Sequence, residues 1–113
     1  MVKIAIPLAE GKLCMHFGHC EEFAIIDADK KSETIVKVEC IVPPPHEPGL
    51  LPKWIGEKGV NLVIAGGMGE RAQNLFHEQG IQVLTGAPAN SPEDLVRNFF
   101  AGTLRLGINA CDH

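Results

Sequence analysis

The sequence contains no tyrosine, only one tryptophan and no excess of positive charge. Few aromatic side chains are therefore available to stack on bases, and ten Lys and Arg against fourteen Asp and Glu give a net charge of -4. Both features disfavour a nucleic-acid partner, and the charge also disfavours an anionic membrane surface. The longest purely apolar runs are a handful of residues, far short of a membrane span.

The N-terminal segment lacks the basic and long apolar parts of an export signal, so we expect a cytoplasmic protein. In that compartment the four cysteines, Cys14, Cys20, Cys40 and Cys111, are expected to be thiols or metal ligands rather than disulfides. A length of 113 residues, 45% of them apolar, predicts a single domain over residues 1–113 with one compact core.

The first half of the chain predicts three strands. Residues 2–6 form the first, and we expect Pro7 to end it because proline cannot continue a central ladder. Residues 8–20 then read as a long loop without a sustained period. Residues 22–27 and 33–42 predict a hairpin, the second strand from its alternating pattern.

The alternating strand at residues 33–42 has two different sides. Its apolar side carries Val36, Val38, Cys40 and Val42. This position predicts that Cys40 belongs to the core. The other side carries Lys37 and Glu39, which we expect to discourage pairing at an open sheet edge.

The second half of the chain alternates helices with apolar strands. Helices are predicted over residues 50–58, 70–79 and 91–101, and the strands at residues 60–65 and 81–85 are each followed by glycine. Continuous apolar strands between helices are typical of a parallel sheet covered on both faces. The sequence therefore predicts an α/β fold with a five-stranded mixed sheet.

In open α/β sheets the ligand crevice lies beyond the carboxyl ends of the parallel strands. Three segments should converge there: residues 9–20, 66–69 and 85–88. The first of these contains Cys14, Met15, His16, His19 and Cys20, a dense set of soft and borderline metal donors. We interpret Cys14, His16, His19 and Cys20 as candidate metal ligands. The alternative is that Cys14 and Met15 are buried anchors of the loop while His16 and His19 cap it or form hydrogen bonds, because the spacing matches no standard zinc ribbon or ferredoxin.

Two further segments are candidates. The C-terminal Cys111, Asp112 and His113 would complete a metal site if they folded back, and would otherwise be a frayed end. The segment Gly67-Met68-Gly69 begins a formal dinucleotide fingerprint, but no acidic residue ends the next strand. Gly66, Gly67, Met68 and Gly69 are instead predicted to present main-chain N–H groups and a helix N-terminus to an anion such as a metal–sulfide cluster.

Together these motifs carry a resemblance. The Met-His-Phe-Gly-His-Cys loop after a Val-Lys-Ile-Ala-Ile strand, the Leu-Val-Ile-Ala-Gly-Gly-Met-Gly segment and the closing Gly-Ile-Asn-Ala-Cys-Asp-His resemble the dinitrogenase iron-molybdenum cofactor biosynthesis family. That family includes NifX, NafY, the C-terminal domain of NifB, the orange protein and small stand-alone members. The resemblance covers essentially the whole chain.

The resemblance implies a three-layer α/β/α ribonuclease-H-like fold with strand order 3-2-1-4-5 and strand 2 antiparallel. It also implies a non-enzymatic role in holding or delivering a metal–sulfur cluster, of Fe-S, iron-molybdenum cofactor precursor or Mo-Cu sulfide type. The residues it implicates are His16, His19 and Cys20, the wall from Gly66 to Gly69, and the tail from Cys111 to His113.

Two alternatives remain open. The first is a metal-free interaction module whose partner is an ATPase of the Mrp/ParA type or another cofactor-assembly protein. The second is a small hydrolase or nuclease, which would need clustered carboxylates for two metals; the first predicted strand has none. Nitrogenase-dedicated members of the family are usually larger, so this chain need not serve nitrogenase.

Overall fold

The computed structural model describes residues 2–15, 20–44 and 50–107. Its strands are β1 (Val2–Ala9), β2 (Lys12–Leu13), β3 (Glu22–Asp29), β4 (Thr34–Ile41), β5 (Leu62–Ile64) and β6 (Gln82–Leu84). Its helices are α1 (Leu50–Glu57), α2 (Glu70–Glu78) and α3 (Pro92–Ala101). None of the helices in these ranges is long and apolar enough to cross a membrane.

The strands form one mixed sheet in the order β4-β3-β1-β5-β6. β3 is antiparallel to both of its neighbours, whereas β5 runs parallel to β1 and to β6. The predicted order 3-2-1-4-5 with an antiparallel second strand is therefore confirmed. The predicted count of five strands is wrong, because the short β2 pairs with the end of β1 and makes a sixth.

The prediction that Pro7 ends the first strand is also wrong. β1 continues through Pro7, which pairs with Phe23 of β3, and reaches Ala9. The parallel neighbour β5 aligns only with Ile4 and Ala5, so it makes no pair with Pro7. On the side of β1 that faces β5, the Pro7 carbonyl accepts a hydrogen bond from the Cys14 N–H at 2.9 Å, and no strand pair there requires a Pro7 N–H. A missing N–H is therefore tolerated at this position.

Alternation along β1 divides the core between the two faces of the sheet. Ile4 and Ile6 belong to the cluster that α3 covers through Leu95 and Val96. Ala5 belongs to the opposite cluster, which is closed by residues of α1 and α2 that include Leu51, Ile55 and Phe76. The sheet is thus the middle of three layers, as predicted.

Cys40 is exposed, so its predicted place in the core is wrong. It pairs with the fully buried Ala24 of β3 and lies on the face that α3 covers. On this face the side chains of β1 and β3 are buried, but most of β4, the outermost strand, is exposed to solvent, as Val36 and Val38 also show. The alternating pattern located the face correctly and could not report how far one helix reaches.

Candidate functional site

The first loop leaves and rejoins the sheet at two consecutive residues of β1. The Cys14 N–H donates to the Pro7 carbonyl at 2.9 Å, and the Glu21 N–H donates to the Leu8 carbonyl at 2.8 Å. A third hydrogen bond joins the Leu13 N–H to the Asn90 carbonyl, in the loop before α3, at 3.0 Å. Both stems of the loop are therefore fixed at one end of the sheet.

The thiol of Cys14 affects the acidity of the thiol at the other stem, Cys20. Cys14 is 7% exposed and Cys20 is half-buried. Burial, followed by the nearby thiol of Cys14, raises the pKa of Cys20 to about 11, against the smaller lowering effect of its own main-chain N–H. Cys20 is consequently a neutral thiol at physiological pH, and a metal that coordinates it must displace the proton.

Gly66 packs directly beneath the first loop. It is buried just after β5, and a Cβ atom at this position would lie 3.0 Å from the Met15 Cα, 3.2 Å from the Met15 Sδ and 3.3 Å from the Cys14 carbonyl oxygen. Any larger residue would push the loop away from the sheet. The absence of a side chain therefore permits the sulfur-bearing loop to sit on the strand end.

Glycine backbones continue across this end of the sheet. The Gly86 N–H, just after β6, donates to the Gly66 carbonyl at 2.6 Å, and the Gly107 N–H donates to the Gly86 carbonyl at 2.6 Å. We call Gly66, Gly86 and Gly107 the glycine row. Gly86 has a φ of +81°, and a Cβ atom there would collide with the Gly107 main chain. The row brings Gly107, which precedes Cys111 by four positions in the sequence, to the same end of the sheet as Cys14 and Met15.

The segment that begins α2 lies next to Gly66 in the chain. Gly69 is the N-cap, with extended backbone, and as a glycine it supplies no side-chain acceptor to the main-chain N–H groups at this helix start. The Met68 side chain is fully buried in the core cluster beneath α2, and its carbonyl accepts from Gln73 Nε2 at 2.9 Å. Only the main chain of this segment can therefore contribute to a surface site.

The structure brings together the three segments that were predicted to converge. Met15 of the first segment contacts Gly66 of the second, and a main-chain hydrogen bond joins Gly66 to Gly86 of the third. Another hydrogen bond joins Leu13 of the first segment to Asn90, two residues after the third. Of the predicted metal ligands, Cys14 and Cys20 lie at the loop stems, whereas His16, His19, Cys111 and His113 lie outside the described residues. Among residues 2–15, 20–44 and 50–107, no three His, Cys, Asp or Glu side chains form a group that could hold a metal ion.

Two residues of this candidate site were not predicted from the sequence. Gly107 was quoted only as part of a motif, although it closes the glycine row, and Asn90 was not considered although its carbonyl holds the loop stem. The repeated strand-then-glycine pattern at Gly66 and Gly86 was the signal for the row. No local pattern marks a main-chain acceptor such as Asn90.

Comparison with known proteins identifies the class. Residues 1–102 match the family model described as dinitrogenase iron-molybdenum cofactor, and the chain belongs to this family, the one that its motifs resemble.

Individual relatives and solved structures are similar to this chain over nearly its whole length. An uncharacterized protein of Methanocaldococcus jannaschii, MJ0580, is 28% identical over 110 residues, which cover 92% of this chain and 90% of the relative. The crystal structure of PH0822 is similar with a TM-score of 0.85 and 30% identity, covering 93% of this chain and 94% of that one. The apo orange protein from Desulfovibrio gigas shares the fold, with a TM-score of 0.72, 18% identity and coverage of 96% and 95%.

Proposed function

We propose that this protein binds a metal–sulfur cluster at the carboxyl end of its sheet and holds or delivers it without catalysing a reaction. The observation that carries the proposal is the packing of Cys14 and Met15 onto Gly66, within the glycine row. Family membership supports the class of cargo, since the family is described by the iron-molybdenum cofactor of dinitrogenase.

The donor chemistry at the loop stems fits such a cargo. Thiolate, thioether and imidazole are ligands for copper, iron and molybdenum–sulfur species, whereas hard cations prefer oxygen. Cys14 and Cys20 would provide sulfur from the two stems, and His16 and His19 would provide nitrogen from the loop between them. Cys111 and His113 would add ligands from the C-terminal segment, which follows Gly107 by only a few residues.

The main chain would supply the remaining wall. Gly66, Gly67 and Gly69 have no side chains to separate a cluster from the backbone, and the start of α2 offers N–H groups to sulfide ligands. Glu70 in the first turn of this helix opposes a negative charge. Affinity would therefore come from coordination and N–H contacts more than from the electrostatic field.

The test is titration of anaerobic apo-protein with tetrathiomolybdate and copper, followed by absorbance and metal analysis after gel filtration. We expect new charge-transfer bands and metal that remains with the protein. Cys20→Ala and His16→Ala should each lose most of this uptake. Cys40→Ala and His77→Ala are matched controls, because they remove a thiol and an imidazole that are exposed away from the loop stems.

Uptake that is equal in the site variants and the controls would contradict the proposal. An alternative function is docking of an ATPase of the Mrp/ParA type, and the exposed Met15 (41%) favours this kind of contact because Met adapts to varied surfaces. Binding of such an ATPase that persists after chelation and in His16→Ala, with no cluster uptake, would support this alternative.

A further inference from the structure

β4 is an open sheet edge of unusual composition. It has eight residues and pairs with β3 on one side, and nothing in the described part of the chain pairs with its other side. Val36 is 55% exposed, Val38 40% and the following Val42 76%. A long edge with apolar side chains and unpaired N–H and C=O groups invites another strand. The opposite edge differs, because β6 has three residues and the neighbouring Gly86 is already bonded to Gly107.

We propose that two copies of this protein associate through antiparallel pairing of their β4 strands around a two-fold axis at Val38. In this register Val38 faces its counterpart, and Lys37 of each copy lies opposite Glu39 of the other. Two equivalent pairs of opposite charge then flank the axis, which is favourable for cross-strand neighbours. Within the described residues, neither Lys37 nor Glu39 has an ion-pair partner inside one copy.

The same two charges select this register against its neighbours. If the axis were at Lys37, that residue would face its own counterpart, and an axis at Glu39 would place two carboxylates opposite each other. Like charges in directly opposed positions are destabilising. Lys37 and Glu39 thus oppose generic edge pairing, as the sequence predicts, and still complement a second copy in one alignment.

The apolar face of β4 is compatible with this pairing. Val36 of one copy would lie opposite Cys40 of the other, so Val36, Val38 and Cys40 would form a continuous stripe across the two strands. On each side the stripe would extend the core cluster under α3, against which Ile35 already packs. The irregular register between β3 and β4 falls at Val36, so Lys37, Val38 and Glu39, which face one another around the axis, lie in the regular part of the strand, and the two Val36–Cys40 pairs lie at its margin.

The test uses charge variants that repel themselves and attract each other. Wild-type protein should show a concentration-dependent species of twice 12.2 kDa in sedimentation velocity. Lys37→Glu and Glu39→Lys should each weaken this association about tenfold or more, because two attractive pairs become repulsive. An equimolar mixture of the two variants should form a heterodimer with near wild-type affinity, detected as a mixed mass by native mass spectrometry.

Thermal unfolding of each variant controls for folding, since Lys37 also lies opposite Asp27 of β3. If either single variant unfolds, the double variant Lys37→Glu with Glu39→Lys restores the complementary pattern and should dimerise like wild type. Val38→Cys in a Cys40→Ser background should form an intermolecular disulfide on mild oxidation. A wild-type protein that stays monomeric throughout the series, or a dimer that these substitutions do not affect, would overturn the proposal.

Discussion

Two regions of the molecule carry cysteine on strands or next to strand ends, and they differ in how far the cysteine is buried. At the carboxyl end of the sheet Cys14 is buried and Cys20 half-buried, and main-chain hydrogen bonds fix the loop stems where they lie. At the edge strand β4, Cys40 is exposed in a plain alternating pattern. The difference shows that main-chain hydrogen bonds and packing against Gly66 accompany the buried thiol, whereas a cysteine in an alternating edge strand stays exposed.

The largest effect is expected from Gly86→Ala, which breaks the glycine row. The substitution combines a left-handed backbone (φ +81°) with a collision against the Gly107 main chain, and should cost about 3 kcal/mol in urea unfolding. Displacement of the C-terminal segment should also make Arg105 more susceptible to trypsin.

Gly102→Ala is the matched control for this change. Gly102 ends α3 with a similar φ of +73°, but a Cβ atom there meets nothing within 4 Å. It should cost about 1 kcal/mol, the strain of the left-handed backbone alone. Equal losses for the two variants would mean that the contact with Gly107 contributes nothing.

A smaller effect is expected from the same substitution made at both regions. Cys14→Ser places a hydroxyl in a buried position and should lower the free energy of unfolding by about 1–2 kcal/mol. Cys40→Ser, on the exposed strand, should change it by less than about 0.5 kcal/mol. The comparison fails if the edge variant is the less stable of the two.

The last effect is expected in thiol reactivity and leaves the fold unchanged. Because the pKa of Cys20 is raised to about 11, its alkylation by iodoacetamide should accelerate with pH beyond 9, and at pH 8 it should be about tenfold slower than that of an accessible thiol of ordinary pKa. Burial, with Glu22 and Glu93, also raises the pKa of Cys40, but Cys40 is more accessible and should react faster. Peptide mapping by mass spectrometry separates the two rates.

Two further measurements sharpen this prediction. Cys14→Ser should lower the pKa of Cys20, because a neighbouring thiol that contributes to the shift is removed. The unfolded chain loses the Cys20 proton near pH 9 and the folded chain near pH 11, so the contribution of Cys20 to stability should decline as pH rises through this window. A Cys20 rate that levels off below pH 9 would contradict both expectations.

The strand order came from the family resemblance, whereas the residues themselves predicted only a mixed sheet, from a hairpin followed by two apolar strands that each end in glycine. The position of Ser91 before Pro92 also predicted the start of α3, where the Ser91 hydroxyl accepts from the Asp94 N–H at 3.3 Å. Both sequence patterns are local, and the structures they predict depend little on the rest of the fold.

The errors come from tertiary context. Pro7 continues a strand because the parallel neighbour β5 ends before it, and Cys40 is exposed because α3 leaves most of the outermost strand uncovered. Neither fact is encoded near the residue concerned. For the candidate site, sequence predicted which segments meet, but the contacts between Met15 and Gly66 and between Gly86 and Gly107 depend on how close the folded backbones approach.

The attachment of the first loop to Pro7 and Leu8 has a consequence for evolution. Since both stems are tied to adjacent residues of one strand, the intervening segment can change in length or composition without transmitting strain to the sheet. The sheet would hold an altered loop at the same two attachment points. Related chains could thereby present different side chains at this end of the sheet by replacing a few residues, with the rest of the architecture unchanged.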